Sequence, residues 1–435
     1  MMEQILALAK KAAKEAEVFE IASEETRVKF ESNRLKQMRT NQSTSVALRV
    51  IKDGRIGFAT AAGTADRQQL VKDAVETAAF GSRAKFKLPG DARYPKVDIF
   101  DPAVESVAIK DMVALGEEMV AALTEHTPGI LCEASVTRSV INVRLINSRG
   151  GKAEYKKSFF GLDIEGNLIT GTDMLFVGEQ ESSCRPITDP RQVTDPVLNQ
   201  LDRAKEKAKS PTKLLPVVFT PNGVASALVM PLITALNGKT VYEGASPLGD
   251  KAGQKVFDKA FSLRDDPSLA YRPASRPCDD EGVPSQKTPL INKGTVRGFI
   301  YDLQTAALAG KKSTGNGNRG RGSLPNPTPS GLVITPGKTT FDEMVADIKE
   351  GLVIEILMGA EQGNILGGDF SGNVLLGFKI EKGKIVGRVK DTMVSGNVYK
   401  MLKDIAAIGS ETRWVGGFLQ TPPFYCKELS VSSKG

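Results

Sequence analysis

The strand-type segments of this chain come in blocks, and the helix-type segments follow the blocks instead of alternating with single strands. In the first block, SVALRVIKDGRIGFATA predicts a β-hairpin with Asp53 and Gly54 in its turn. A second block spans residues 132–166 and has turn residues around Gly150 and Gly166. Segregated strands and helices are typical of the α+β class, so the sequence predicts an α+β fold.

Each strand block is followed by a helix-type segment that contains small residues. DRQQLVKDAVETAAFG follows the first block, with Asp66 as its N-cap, and LNQLDRAKEKAKS closes the second block at about residue 210. This recurrence predicts a duplicated strand-helix motif. Apolar residues at helical spacing predict two further helices, over residues 3–16 and 108–125.

Pro211 and Pro216 bracket a predicted linker. We therefore expect an N-terminal α+β domain over residues 1–210 and a strand-rich C-terminal domain over residues 211–435. Strands of the second domain are expected in INKGTVRGFIYD, SGLVITPG, GLVIEILMG and VLLGFKIEKGKIVGRV, and helices near residues 222–237, 339–350 and 397–408.

The composition, 40% hydrophobic and 25% charged over 435 residues, is that of a soluble globular protein. No stretch approaches the roughly 18 apolar residues of a membrane span, and Lys10 and Lys11 interrupt the N-terminus before a signal-type core develops. We expect a cytoplasmic protein with no membrane contact. The net charge of +7 is spread along the chain, so nucleic acid is not indicated as a partner.

The chain contains one histidine, His126, and four widely spaced cysteines, for which we expect reduced thiols. Catalytic zinc usually takes two or three imidazoles, and nucleophilic Ser-His or Cys-His pairs need one beside the nucleophile. His126 ends an amphipathic run, just before Pro128 and Gly129, where a basic side chain satisfies helix-end carbonyls. We expect a helix-terminal surface histidine, and neither a metal nor a cofactor.

The segment GNGNRG, residues 315–320, matches the glycine pattern of a dinucleotide site. It neither follows a predicted strand nor opens a helix, because RGSLPNPTPS comes after it. The residues indicate instead a flexible basic loop over residues 311–322, which we interpret as a mobile cover of a cavity in which Arg319 and Arg321 are accessible to trypsin.

Two other segments leave alternatives open. CDDEGVPSQ contains the adjacent acids Asp279, Asp280 and Glu281, which are typical either of an acid pair or hard-metal site or of a solvated loop. GAEQGNILGGDFSGN, residues 359–373, lacks the lysine of a phosphate loop. Its glycines favour either close approach of an extended peptide or an ordinary tight turn.

Four segments taken together resemble the TldD/PmbA family, known as modulators of DNA gyrase and as peptide-processing proteases. They are CDDEGVPSQKTPLINKGTVRGFIYD, KKSTGNGNR, GNILGGDFSGNVLLGFKIEKGKI and VSGNVYKMLKDIAAIGSE, in family order. The resemblance covers nearly the whole chain. It implies an α+β N-terminal domain with a duplicated motif and a strand-rich C-terminal domain, joined as two subunits around an enclosed cavity.

The TldD branch of that family resembles a zinc protease with a His-Glu-x-x-x-His motif and a distal cysteine ligand. Aligned on the following Leu236–Gly238, the two histidines fall on Val229 and Thr234, and the glutamate falls on Met230. The distal cysteine region falls near Trp414–Gly417, which contains no thiol. The chain therefore resembles the PmbA/TldE branch, which lacks the zinc motif.

The resemblance implies a noncatalytic subunit that pairs with a TldD-type zinc protease chain and serves the proteolysis of unfolded or small peptides; in isolation the chain could form a homodimer. One alternative is a self-sufficient peptidase that uses Cys278 or an acid from residues 279–281. Another is a gyrase or nucleic-acid-binding modulator. The residues expected along a path for substrate or partner are Asp280, Glu281, Gly282, Ser313, Thr314, Gly315, Asn316, Gly367, Gly368, Asp369, Phe370 and Ser371.

Overall fold

The computed structural model describes residues 1–63, 66–320 and 323–434. Its first half contains the same order of elements twice, a helix, three antiparallel strands and a helix. The elements are α1 (Met2–Ala12), β1 (Glu15–Glu31), β2 (Arg34–Lys52), β3 (Arg55–Ala62), α2 (Arg67–Thr77), α3 (Ala103–Ser106), α4 (Ile109–His126), β4 (Leu131–Asn147), β5 (Lys152–Thr170), β6 (Asp173–Ser183) and α5 (Arg191–Arg203).

These strands form one six-stranded sheet in the order β3-β2-β1-β4-β5-β6. The two copies meet where β1 pairs antiparallel with β4, from Glu17 opposite Asn147 to Phe30 opposite Ala134. From the centre of the sheet outward, each copy therefore has its first, second and third strand in the same order. The predicted duplication of a strand-helix motif is confirmed.

The second half is rich in short strands. Its elements are β7 (Lys213–Phe219), α6 (Pro221–Ala227), α7 (Val229–Ala235), α8 (Gly238–Tyr242), β8 (Leu263–Asp265), β9 (Thr288–Asn292), β10 (Thr295–Val296), α9 (Leu303–Leu308), β11 (Gly317–Asn318), β12 (Asn326–Pro327), β13 (Leu332–Ile334), α10 (Phe341–Ala346), β14 (Glu350–Met358), a 3₁₀ turn (Ala360–Gln362), β15 (Asp369–Glu381), β16 (Lys384–Arg388), β17 (Thr392–Asn397), α11 (Val398–Met401), β18 (Ile405–Ile408), β19 (Arg413–Val415), β20 (Leu419–Thr421) and β21 (Phe424–Ser433).

A seven-stranded sheet organises this half. Its strands follow the order β14-β7-β21-β17-β15-β16, with β18 attached to β21. Because β14 also pairs with β15, five of these strands close into a ring. A second, six-stranded sheet has the order β10-β9-β8-β13-β20-β19. The predicted α+β class with a strand-rich C-terminal half is confirmed.

Helices cover one face of the first sheet, and loops of the second half cover the other. Met2 and Ile5 of α1 and Leu70 of α2 pack with Leu48 of β2. On the opposite face, Phe19 packs with Ala47, Val143, Leu145 and Ala153 of the sheet and with Cys278 from the second half. The central part of the first sheet is therefore covered on both faces, whereas residues 34–43 of β2 are exposed. Since β7 begins at Lys213, we propose that the domain boundary lies at residues 210–211.

Local signals located several elements correctly. The hairpin turn lies at Asp53 and Gly54, whose φ angles are 51° and 75°. Asp66 is the N-cap of α2, because its Oδ1 accepts hydrogen bonds from the backbone amides of Gln68 and Gln69 at 2.9 and 3.2 Å. His126 is the last residue of α4 and lies 3.0 Å from Asp202 of α5.

Several predicted elements are shorter than expected, including the helices predicted over residues 3–16 and 339–350, which span Met2–Ala12 and Phe341–Ala346. The helix that closes the first half ends at Arg203, because the backbone of Glu206 and Ala208 pairs instead with Arg388. Residues 405–408, predicted as helix, form β18, which pairs with β21. The strand predicted over residues 291–302 is reduced to the end of β9 and to β10. In the described part of the chain, no helix is long and apolar enough to cross a membrane.

Candidate functional site

A cavity of about 990 Å³ lies on the loop-covered face of the first sheet. Its floor is formed by alternate residues of β1 and by parts of β2 to β5, and its wall by loops of the second half. Lining residues include Phe19, Ile21, Ser23, Asn41, Gln42, Phe58, Ile141, Tyr155, Lys157, Arg276, Asp280 and Arg319. We call it the sheet cavity.

A chain of buried charges lies against this cavity and joins the two halves of the molecule. Arg49 of β2 lies between two fully buried carboxylates, 2.9 Å from Glu17 of β1 and 2.5 Å from Glu281 of the second half. Arg319 binds the same oxygen of Glu17 from the other side. The order Glu281, Arg49, Glu17, Arg319 alternates in sign, so each charge has a neighbour of opposite charge.

The acidic turn continues this chain of charges. Asp280 accepts a hydrogen bond from the backbone amide of Arg319 at 2.7 Å and lies 3.5 Å from Arg276. Asp279 accepts three backbone hydrogen bonds, from Glu281, from Val283 and, at 2.8 Å, from Gly317. The three acids are therefore buried and internally paired, and the alternative of a solvated acidic loop is wrong.

Sequence reasoning missed Glu17 and Arg49, which are the first-half members of the buried chain of charges. In SVALRVI, Val46, Leu48 and Val50 face the helices, so Arg49 lies on the other face together with Ala47. A single arginine inside an apolar strand was the available signal, because a buried guanidinium requires a carboxylate partner. The sequence alone does not identify that partner.

Burial changes the protonation of several groups at this site. It raises the pKa of Glu17, although Arg49 and Arg319 act in the opposite direction. Burial also raises the pKa of Asp279, and the negative charge of Glu281 adds to this effect. Lys157 lines the cavity, donates hydrogen bonds to the carbonyls of Pro273 and Ser275, and has its pKa lowered by burial to about 8.

The structure places the predicted path residues in two regions. Asp280 lines the sheet cavity, and Glu281 and Gly282 continue its acidic turn. The segment 313–316 lies behind this turn: the hydroxyl groups of Ser313 and Thr314 donate to the carbonyl of Tyr301, and Asn316 donates to Asp265 at 2.7 Å. These four residues position the loop and do not line the cavity.

The second predicted group, residues 367–371, lies at the start of β15. Asp369 and Phe370 line a different cavity, of about 840 Å³, together with Asn397. The two cavities have no lining residue in common. At Gly368 the φ angle is 80°, and an added Cβ would lie 2.5 Å from the Tyr399 ring. That geometry supports the tight-turn interpretation of this position; contact of residues 367–371 with a peptide stays a prediction.

The predicted mobile cover at residues 311–322 is wrong for Arg319. Its side chain is 4% exposed and is held by Glu17 and by the backbone oxygen of Asp280. The reason is that Glu17 binds the guanidinium group of Arg319 and Asp280 binds its backbone amide, which holds this residue in the buried cluster of charges. Arg321 and Gly322, which also belonged to the predicted loop, lie outside the described residues.

The alternative of a self-sufficient peptidase receives no support from the geometry of its proposed nucleophiles. Burial and the neighbouring Asp279 raise the pKa of the Cys278 thiol to about 12, which keeps it protonated and weakly nucleophilic. The Glu281 carboxylate is bound by Arg49 and by the backbone amide of Leu303. The Glu281 carboxylate is therefore held by structural contacts, and the Cys278 thiol is not activated as a nucleophile.

The three positions that align with the zinc motif lie on α7 and do not fit a zinc ion. Val229 is buried and apolar, and Met230 is exposed. The hydroxyl group of Thr234 donates a hydrogen bond to the carbonyl of Met230 at 2.8 Å. None of the three offers an imidazole, thiolate or carboxylate. Within residues 1–63, 66–320 and 323–434, no group of three His, Cys, Asp or Glu side chains is arranged to hold a metal.

Two family models match the sequence. The PmbA/TldA metallopeptidase C-terminal domain matches residues 212–433, which is just over half of the chain. The PmbA/TldA metallopeptidase domain 1 matches residues 16–79. The matched ranges contain the lining residues of the sheet cavity on β1 to β3 and on the second-half loops, whereas its lining residues on β4 and β5 lie between the two ranges.

Individual relatives agree with these matches. An uncharacterised protein of Methanocaldococcus jannaschii is 28% identical over 409 residues, 93% of each chain. A protein named metalloprotease from Methanothermobacter thermautotrophicus is 24% identical and covers 89% of this chain and 86% of its own length. The crystal structure of TldE from Thermococcus kodakarensis has a TM-score of 0.89 at 23% identity, over 99% of this chain and 100% of that one. This last likeness shows a shared fold.

Removing one carboxylate from the buried charges should strongly destabilise the protein. In Glu281→Gln, Arg49 keeps only Glu17 as a charged partner, while the new amide retains the shape of the side chain. We expect a loss of about 3–5 kcal/mol in the free energy of unfolding, measured by urea denaturation. The matched control is Glu350→Gln, which removes a half-exposed pair with Lys213 and a longer contact with Lys379 and should cost about 1 kcal/mol or less. Equal losses in the two variants would show that the buried pair has no special weight.

Gly368→Ala should lower stability by about 1–3 kcal/mol, because alanine disfavours the positive φ angle and its Cβ meets the Tyr399 ring. Tyr399 cannot easily move, since its hydroxyl group donates to the carbonyls of Pro231 and Leu366. Gly171→Ala is the control, because Gly171 has a φ angle of 62° and open space around the added Cβ. A thermal melting temperature lowered more in Gly368→Ala than in Gly171→Ala isolates the contact with the ring. Identical shifts would refute it.

Proposed function

Because this chain belongs to the PmbA/TldD metallopeptidase family, we propose that it is a TldE/PmbA-like subunit of a metalloprotease complex that cleaves unfolded or small peptides. Its partner is a TldD-type chain that carries the zinc ion, and the complex acts in the cytoplasm. The observation that carries the proposal is the side-chain chemistry at Val229, Met230 and Thr234. Three positions without a zinc ligand leave this chain with a binding role and no metal chemistry of its own.

The sheet cavity supports the binding role because its volume and its walls suit an extended peptide. Strand β2 extends beyond β3: Ser45 pairs with Ala62, and residues 34–44 pair with β1 on one side. Within the described residues, the other side of residues 34–44 has no strand partner. Such an edge presents free backbone groups, which an extended peptide can use by adding as a further strand.

The same stretch of β2 leads into the cavity. Asn41, Gln42, Ser43 and Thr44 line it. A peptide that pairs with the edge of β2 would thus run along the cavity, held through its backbone. Backbone pairing tolerates many side chains, which agrees with the proposed substrate class of unfolded peptides.

The alternative of a gyrase or nucleic-acid-binding modulator has weaker support. It was suggested by the family's description and by the net charge of +7. Arg319 and Arg276, two of the cations nearest the cavity, are buried and paired with carboxylates of this chain. Charges used in this way are not free to neutralise phosphates.

The proposal predicts that this chain and its partner differ in zinc content and that cleavage requires both. The purified chain should contain no stoichiometric zinc and should cleave no unstructured peptide, whereas addition of a TldD-type chain should yield metal-dependent cleavage. Elemental analysis and a fluorogenic peptide assay, each before and after mixing, measure this. About one zinc per chain, or chelator-sensitive cleavage by this chain alone, would contradict the proposal.

The edge of β2 gives a second test. The carbonyl of Thr44 accepts a hydrogen bond from Gly63, on the side of β3, so the backbone of Gln42 points outward to the same side. Gln42→Pro removes this outward N–H and leaves the pairing with β1 intact. We expect kcat/KM of the assembled complex to fall about two- to tenfold, which corresponds to one lost hydrogen bond.

Gln42→Ala is the matched control, since it shortens the side chain and keeps the backbone N–H. It should lower kcat/KM less than Gln42→Pro does, because the outward N–H is retained. If the proline and alanine variants cleave peptides equally well, the edge of β2 does not bind the substrate.

A further inference from the structure

A further cavity, of about 370 Å³, lies where both halves of the chain meet, away from the sheet cavity. Its walls come from β6 and α5 of the first half and from α6, β14 and β19 of the second. It shares no lining residue with the sheet cavity. We call it the Trp414 cavity, because the one tryptophan of the sequence lines it.

Glu355 of β14 presents an incompletely bonded carboxylate to this cavity. Its side chain is 9% exposed, and its Oε2 accepts a hydrogen bond from the Thr220 hydroxyl group at 2.8 Å. The nearest cation to Oε1 is Nη1 of Arg203 at 3.8 Å, which is too long for a hydrogen bond. Among the described residues Oε1 accepts no hydrogen bond, and it keeps solvent-accessible surface. An accessible oxygen of an otherwise buried carboxylate can accept a hydrogen bond from a ligand.

The charges around the cavity decide the sign of that ligand. Glu179, whose side chain is 5% exposed, lies 3.1 Å from Arg413. With Glu411 the lining residues carry three carboxylates and two guanidinium groups, which leaves one unit of net negative charge. Burial raises the pKa of both Glu355 and Glu179, because their negative charges are poorly solvated there. A ligand cation would neutralise this site, and an anion would add to the imbalance.

The other lining residues indicate what kind of group the ligand carries besides its cation. Trp414, Phe341, Pro196 and Pro423 supply aromatic and aliphatic surface beside the carboxylates. Small-molecule sites typically combine apolar walls with a few polar groups and begin at volumes of about 300 Å³. The cavity therefore suits a molecule of the size of an amino-acid residue.

We propose that the Trp414 cavity binds a primary ammonium group on a small hydrocarbon body, with Oε1 of Glu355 as its main hydrogen-bond acceptor. The same ammonium chemistry occurs at the N-terminus of a peptide and in a free amino acid. The proposal does not rest on the proteolytic role, since it concerns a separate cavity and separate residues.

Trp414 is a fluorescence probe for binding in this cavity. Because it is the only tryptophan, selective excitation of the full-length chain reports on this cavity, and isothermal titration calorimetry measures the same binding without relying on a spectral change. The probes are leucinamide, which has an ammonium group and no carboxylate, leucine, which has both, and N-acetylleucinamide, which has neither. We expect leucinamide or leucine to bind and N-acetylleucinamide to bind at least about tenfold more weakly, the loss that follows from one charged hydrogen bond.

The two sources are distinguished by the order of the affinities. Tighter binding of leucinamide assigns the site to a peptide N-terminus, and equal or tighter binding of leucine assigns it to a free amino acid. Equal binding of N-acetylleucinamide and leucinamide, or no heat of binding from either ammonium compound, would overturn the proposal. This comparison uses the unaltered protein and depends on no variant.

Variants then locate the contact. Glu355→Gln keeps the shape of the side chain and its bond from Thr220, and we expect it to bind the ammonium probe about tenfold more weakly. Glu350→Gln lies on the same strand outside the cavity and should bind as the unaltered chain does. Near-ultraviolet circular dichroism checks that both variants are folded. Unchanged affinity in folded Glu355→Gln would overturn the assignment to Glu355.

Discussion

The arrangement of the two halves depends on the buried alternation of Glu281, Arg49, Glu17 and Arg319. Each of these charges loses its hydration on folding, a cost that only a close partner of opposite sign offsets. Glu17 and Arg49 belong to the first sheet, whereas Glu281 and Arg319 belong to loops of the second half. All four have a close partner of opposite charge in one relative position of sheet and loops. The four charges therefore fix the position of the second-half loops, which form the wall of the sheet cavity, relative to the first sheet, which forms its floor.

Features that depend on neighbours in sequence could be predicted. The turn at Asp53 and Gly54, the cap at Asp66 and the terminal position of His126 each follow from a few adjacent residues, and the structure has them in place. The duplicated motif was also visible, because each copy repeats the same local order. The class of the fold could be derived from these elements without knowledge of any distant contact.

Features that depend on distant pairing could not be predicted in the same way. Arg49 and Glu281 are 232 positions apart, and Glu17 and Arg319 are 302 positions apart, so no local pattern joins them. The same limit explains the wrong helix at residues 405–408, where pairing with β21 overrides the local preference. It also explains why Arg319 was assigned to a mobile loop. Its sequence neighbours are glycines and asparagine, and the partners that bury it are remote.

Binding and metal chemistry can be separated in this fold because they depend on different parts of the chain. In the proposed role, residues 34–44 of β2 would bind an extended peptide through backbone groups, which substitutions of side chains leave in place. A zinc site needs specific side chains, and the positions aligned with the two histidines and the glutamate of the motif lie on the short helix α7. There Val229 contributes to the core and Thr234 bonds within its own helix, so neither position leaves an unsatisfied group. Both positions therefore have their structural contacts within this chain, and neither requires a metal to complete them.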